Sequence, residues 1–175
     1  MLLDLSQFRA PLAQVERTFQ PDAFPPDEDM RVVAPVSLAF SVAKDHVVFT
    51  LTGTATGVLE LVCGRCLEPF TWPVAARFEL RYQPQPPAAA GEVTPDLEVA
   101  EDDLATAFYE HDQIDLGQLV REQFYLSLPM KPLCQDGCRG LCPECGVNLN
   151  RTSCACTHRW DDPRLAVLKT LKSES

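Results

Sequence analysis

Residues 134–156 read CQDGCRGLCPECGVNLNRTSCAC. Six of the eight cysteines fall in these 23 residues, and the other two stand well upstream in Cys63-Gly64-Arg65-Cys66. Thiolates two or three residues apart reach one tetrahedral ion from a single turn, and a second pair closes the site. Cys142-Pro143-Glu144-Cys145-Gly146 is the sharpest such unit. Pro143 stiffens the turn, and Gly146 permits the backbone angles that aim sulfur and amide groups inward. The pattern points to zinc. The competing reading is disulfides, which need an oxidising compartment.

Composition favours the metal. At 175 residues and 46% apolar content the chain can bury a real core, as one domain or as one domain with a small appendage. No run of eighteen apolar residues occurs, so no membrane span is expected. The stretch MLLDLSQFRAPLAQVER carries Asp4 and lacks a basic region followed by an apolar one, unlike a secretory signal. The expected location is therefore cytoplasmic, where thiols stay reduced. The formal charge of −10 is uneven. Residues 1–130 carry 8 Lys and Arg against 20 Asp and Glu, whereas residues 131–175 carry 7 against 5. An acidic body is poorly suited to binding nucleic acid by neutralising phosphates. Any RNA contact is expected to be local, through few residues, or to run through a protein partner.

Outward from the cysteines, the chain divides into two parts. Residues 1–130 read as a β-rich body with one packed helix, and residues 131–175 as a cysteine-rich zinc-binding segment with a short terminal helix. Residues 1–30 look loosely structured apart from a short strand at 15–19 and a Pro- and Asp-rich loop after it. Residues 31–42, 46–52, 54–62 and 71–82 place apolar side chains near period two, with a turn at Lys44-Asp45. The expected fold class is α+β, an antiparallel meander or open barrel-like sheet. Cys63 and Cys66 fall in a turn between two of its strands. Residues 83–103, QPQPPAAAGEVTPDLEVAEDD, read as a mobile linker or insertion, with a short returning strand at 104–109.

Residues 115–128 give the clearest helix. Asp115 can N-cap it, and Gln118 three residues on resembles a capping box. Leu116, Leu119, Val120, Phe124 and Ser127 share one face, with Glu122 and Gln123 off its centre. Pro129 and Pro132 end the helix and deliver the chain to Cys134. Beyond the cysteines, Asp162 and Pro163 can open a second helix carrying Leu165, Leu168 and Leu171.

Eight cysteines divide naturally into two sites. Following sequence pairs, Cys63, Cys66, Cys134 and Cys138 make one, and Cys142, Cys145, Cys154 and Cys156 the other. Two alternatives stay open: the C-terminal six hold one ion with two cysteines spare, or two ions share bridging thiolates. The Cys154-Ala155-Cys156 spacing is tight, and His158 can stand in for Cys156. His46 and His111 read as ordinary surface or core residues. Four thiolates leave no open position for water, so such zinc sites are structural. Each contributes on the order of 10–16 kcal/mol of apparent binding energy to folding.

The run Leu61-Val62-Cys63-Gly64-Arg65-Cys66-Leu67-Glu68-Pro69-Phe70 resembles the central motif of the YceD family, the large ribosomal RNA subunit accumulation proteins of bacteria and plastids. Gly140-Leu141-Cys142-Pro143-Glu144-Cys145-Gly146-Val147-Asn148-Leu149-Asn150 is similar to the cysteine-rich tail of many members. Asp162-Pro163-Arg164-Leu165-Ala166-Val167-Leu168-Lys169 is similar to their closing segment. The resemblance covers roughly residues 30–172 and keeps the three motifs in order. It implies a role in the synthesis, processing or stability of 23S ribosomal RNA and in large-subunit biogenesis. The partner it implies is precursor ribosomal RNA, an assembly or processing protein, or both, and it brings no molecular mechanism.

Three functions compete. The first is a non-enzymatic accumulation factor with structural zinc, in which Arg65, Arg139, Arg151, Arg159 and Arg164 contact phosphate or a partner. The alternative role for these arginines is to neutralise thiolate charge or to cap nearby carbonyls. The second is a dithiol redox enzyme at Cys63 and Cys66. Such a site opens a helix whose N-terminus lowers the thiol pKa, and Pro69 with strand-like residues follows here instead. The third is a zinc-bearing adaptor or transcription-related module, which would need a more basic recognition helix than residues 162–172 provide. No small-molecule substrate is implied.

Overall fold

The computed structural model describes residues 1–8, 10–27, 29–85 and 106–156. Period two holds most clearly in β4 (Val36–Asp45), where Val36, Leu38, Phe40 and Val42 are buried and their neighbours face outward. β4 pairs antiparallel with β2 (Leu12–Phe19) on one side and with β5 (Val48–Val62) on the other. β5 pairs in turn with β6 (Pro69–Pro84), again antiparallel, and β6 with the short β7 (Thr106–Tyr109) in parallel. The path β2-β4-β5-β6-β7 forms one sheet and does not close into a barrel. β1 (Leu2–Asp4) pairs with β8 (Gln113–Asp115) as a separate two-stranded ribbon.

Several boundaries differ from the sequence reading, each for a local reason. The region expected as one strand over 31–42 is two pieces, β3 (Arg31–Val32) and β4. Both lie along β5, at Leu59 and Glu60 for β3 and from Thr56 for β4. Pro35 lies between them and has no N–H to give to the ladder. The two strands expected over 46–62 are one, because Gly53 continues the ladder instead of ending it. A Cβ there would collide with the Ala39 carbonyl and with Phe40, so glycine is required by close approach of the strands. The β4–β5 turn is His46-Val47 and not Lys44-Asp45, with His46 in the left-handed region at φ 55. The first 30 residues hold β1, β2 and two short 3-10 turns, Leu5–Gln7 and Pro21–Ala23. β6 runs to Pro84, into the segment read as linker. Residues 86–105 and the expected C-terminal helix lie outside the described residues.

The one α-helix among the described residues, α1 (Leu116–Ser127), covers one face of the sheet. Asp115 caps it through Oδ1, which accepts from the amides of Gly117 and Gln118. The capping box is not completed, since the Gln118 side chain donates to Glu122 Oε1 instead. Leu116, Leu119, Val120 and Phe124 are buried against the strands. Burying Phe124 fully stabilises by roughly 1.5–3 kcal/mol, and truncating it to alanine costs about 3–5 kcal/mol. Gln123 is buried and Ser127 exposed, the reverse of the expected face, because the sheet wraps one residue further round the helix. From Leu128 the chain returns to the β5–β6 hairpin, where Pro132 meets Gly64 and the cysteines gather.

Candidate metal centres

The β5–β6 hairpin loop is Cys63 to Glu68. The Cys63 amide donates to the Glu68 carbonyl at 3.0 Å, and the Leu67 amide donates to the Cys63 carbonyl at 2.9 Å. Leu67 closes the loop in the left-handed region at φ 58. The loop from Cys142 to Val147 repeats this pattern. The Cys142 amide donates to Val147 O at 2.9 Å, the Gly146 amide donates to Cys142 O at 2.8 Å, and Gly146 has φ 72. Both loops therefore point two sulfurs, three residues apart, to one side of a tight turn. The sequences share only Cys-x-x-Cys. The second loop uses glycine where left-handed backbone is needed, and the first accepts a strain of about 1–2 kcal/mol at Leu67.

Each pair meets a second pair. Cys63, Cys66, Cys134 and Cys138 form one set, and Cys142, Cys145, Cys154 and Cys156 the other, with the four sulfurs of each within 4.8 Å of one another. None of the eight is in a disulfide. Cys63 Sγ lies 3.7 Å from Cys138 Sγ, and Cys66 Sγ lies 3.7 Å from Cys134 Sγ. A zinc–sulfur bond of about 2.3 Å gives a tetrahedron with an edge of about 3.8 Å, whereas a disulfide needs about 2.05 Å. Each set of four can hold a metal ion, and the observed edge fits one the size of zinc.

Electrostatics argue the same way. Two thiolates 3.7 Å apart repel by roughly 4 kcal/mol at an effective dielectric of about 20. The thiols accordingly split. Burial pushes Cys63 up, but the amides of Cys66, Arg65 and Cys134 outweigh it and bring it down to about 6. Cys134 is pushed up to about 12, first by desolvation and then by the neighbouring sulfurs. The amides of Cys145 and Glu144 draw Cys142 down to about 6. Cys145, with burial, pushes Cys156 up to about 12. Protein groups stabilise one or two anions per set, and a divalent cation would allow four.

The two sets are stitched together. Gly64 N donates to Pro132 O at 2.8 Å, and Leu141 N donates to Arg65 O at 3.2 Å. Gly140, at φ 73, passes so close that a Cβ would sit 3.1 Å from Arg65 O. Asn150 belongs to the second set's loop but serves the first. Its Nδ2 donates to Cys138 Sγ at 3.3 Å, lowering that thiol's pKa, and its Oδ1 accepts from the Arg139 amide at 2.8 Å. Asn148 Oδ1 in turn accepts from the Asn150 amide and side chain. Neither asparagine announces this role in the sequence. The only signal there is an Asn-Leu-Asn run directly after a cysteine loop.

The arginines part company. Arg65 Nη1 donates to the Cys138 carbonyl at 2.9 Å. Arg151 Nη2 lies 3.0 Å from both carboxylate oxygens of Glu68, tying the second loop to the first. Arg139 is exposed and held at its backbone by Asn150. Arg159, Arg164 and His158 lie outside the described residues. His46 and His111 sit on exposed turns beside Asp45 and Glu110. The Cys63/Cys66 loop opens no helix; β6 follows it directly. No described helix is long and apolar enough to cross a membrane.

Comparison with known proteins finds relatives that span this region. Residues 51–172 match the family model described as large ribosomal RNA subunit accumulation protein YceD. A chloroplastic YCED homolog 1 of Zea mays is 28% identical over 156 residues, covering 71% of this chain and 50% of that protein. The corresponding Arabidopsis thaliana protein is 24% identical over 158 residues, 80% of this chain and 49% of its own. An uncharacterized protein of Mycobacterium tuberculosis is 33% identical over 118 residues, 67% of this chain and 53% of its own. The chain spans about half the length of these curated relatives. No solved structure matches it. With the family match covering both cysteine loops and everything between them, the chain belongs to the YceD family of large ribosomal RNA subunit accumulation proteins.

Proposed function

We propose that this protein is a non-enzymatic factor supporting accumulation of the large-subunit ribosomal RNA, and that two structural zinc ions hold its working surface in shape. The observation that carries the reading is the pair of four-sulfur sets, each within 4.8 Å and the first with 3.7 Å edges, in a chain of this family. Cys63, Cys66, Cys134 and Cys138 would hold one ion, and Cys142, Cys145, Cys154 and Cys156 the other. Zinc bound by four thiolates supplies charge balance and rigidity and keeps no position open for a substrate.

Contact with ribosomal RNA, or with a protein that handles it, then falls to side chains around the loops. Arg65 and Arg151, both at the surface, are tied to the Cys138 carbonyl and to Glu68, which leaves Arg139 as the arginine beside the loops best presented for a phosphate or a partner carboxylate. The −10 charge favours a protein partner carrying much of the contact. A second reading, a zinc-bearing protein-interaction adaptor with no ribosomal RNA role, draws on the same acidic surface. Metal analysis and RNA crosslinking on the purified, tagged protein separate them. The expected result is about two zinc per chain and crosslinks to large-subunit precursor RNA or its assembly proteins, weakened by Arg139→Ala at full zinc content. Metal-free folded protein would overturn the zinc reading, and full zinc with no ribosomal RNA or assembly protein would leave the adaptor.

A further inference from the structure

Away from the cysteines, one flank of α1 leaves a groove beside β7. Two clefts of 490 and 470 Å³ meet there, sharing Ala107 and Glu122. The groove follows α1 from Gln118 to Leu126, about 12 Å at 1.5 Å per residue, the length of roughly four residues of extended chain. Three features of this groove point to an occupant.

The first is a strand edge. Tyr109 O accepts from Gln85 N, so in this parallel pair Tyr109 and Ala107 turn their amides and carbonyls to β6. Phe108 between them turns its own to the far side, where no strand pairs with it among the described residues. The second is Gln123. It is 7% exposed, lines the apolar end of the groove, and its side-chain amide makes no hydrogen bond among the described residues. That amide, both donor and acceptor, is open to the groove, and a peptide group is its natural complement. The third is charge joined to apolar surface. Leu126 is 80% exposed and Phe108 57% exposed. Glu122, Glu110 and Asp115 line the groove, with no Lys or Arg there among the described residues. The same acids show in Tyr82 at its floor, whose hydroxyl is pushed up to about 12 by burial and then by Glu122 and Asp115.

We infer that this groove takes an extended peptide segment of a partner protein, rich in Lys or Arg and alternating with apolar residues, which adds as a strand to the edge of β7 at Phe108. The peptide backbone pairs with Phe108 and meets the Gln123 amide. Its apolar side chains pack on Leu126 and Leu80, and its basic ones face Glu122 and Glu110. The neighbouring segment 86–105 is a poor match, because it carries Glu92, Asp96, Glu98, Glu101, Asp102 and Asp103 and no basic residue.

The test is fluorescence anisotropy of the full-length, metal-loaded protein with an end-blocked hexapeptide alternating valine and lysine, against the same peptide with glutamate for lysine. The expected result is saturable binding of the lysine peptide at least tenfold tighter than the glutamate one. Amide-exchange protection should appear at Phe108, and Leu126→Lys and Glu122→Lys, both surface changes, should each weaken binding at least fivefold. Equal binding of the two peptides, unaltered affinity in both variants, or no protection at Phe108 would overturn the inference. So would a photo-crosslinking leucine analogue at position 126 that joins to residues 157–175 of its own chain, or to a second copy, in preference to the lysine peptide.

Discussion

The loop around Cys63 and Cys66 and the loop around Cys142 and Cys145 make the same two backbone hydrogen bonds, yet they sit in opposite surroundings. In the first set Cys63, Cys66 and Cys138 are buried, packed beside Phe70 and Leu133, and only Cys134 is exposed. In the second set only Cys142 is buried. The first set joins residues 68 apart in sequence, Cys66 and Cys134, and so pins the segment after α1 to the tip of the sheet. The second closes only the short stretch from Cys145 to Cys154. Loop-closure entropy alone makes the longer clasp worth roughly 2 kcal/mol more to the folded chain. One ligand chemistry can thus do two jobs: the inner set fastens tertiary structure, and the outer set folds a local loop.

The sharpest way to break this contrast is to remove one ligand from each. Cys63→Ser should cost several kcal/mol, a large part of the 10–16 kcal/mol that structural zinc can supply, and should abolish cooperative thermal unfolding of the β-rich body. Cys145→Ser should lose one metal per chain while the body's unfolding transition survives. If both variants melt alike, the division into fastening and local sets is wrong.

Asn150→Ala probes the bridge between them. It removes the donor to Cys138 and the acceptor for the Arg139 amide. The expected loss is about 10–100-fold in metal affinity at the inner set, although the residue lies among the outer set's cysteines. Competition with a chromophoric chelator, read site by site by mass spectrometry, would show it. A smaller effect should appear in alkylation under stepwise chelation. Cys145 and Cys156 should be modified roughly tenfold faster than Cys63 and Cys66, since local opening of an exposed loop needs little of the global unfolding free energy. The smallest change concerns the turns themselves. Leu67→Gly relieves about 1–2 kcal/mol of left-handed strain and adds about 0.5–1 kcal/mol of chain entropy cost. Stability by denaturant titration should therefore rise by up to about 1 kcal/mol, while Gly146→Ala should lower it by a similar amount.

Signals confined to a few neighbouring residues are legible in the sequence. Cys-x-x-Cys announces a loop that aims two sulfurs one way, Asp115 announces a helix start because its carboxylate suits the free amides of Gly117 and Gln118, and alternating Val36, Leu38, Phe40 and Val42 announce a strand with one buried face. Strand limits are less legible. Gly53 reads as a break in sequence, but its missing Cβ is what lets β5 lie against Phe40. The buried flank of α1 is misread at Gln123 and Ser127, because side-chain periodicity cannot say how far a sheet wraps a helix.

The sequence by itself determined that eight thiols come in pairs able to grip metal, that a sheet and one capped helix carry them, and that the surface is acidic. Only the tertiary structure decided that Cys66 meets Cys134, that Asn150 reaches across to Cys138, that Arg65 caps a carbonyl, and that β7 runs parallel beside β6 with Phe108 turned outward. The physical reason is range. Turn, cap and alternation preferences act over a few bonds and are written in neighbouring residues. Pairings across 68 or 73 positions depend on where the packed sheet delivers each loop, which no short window of residues encodes.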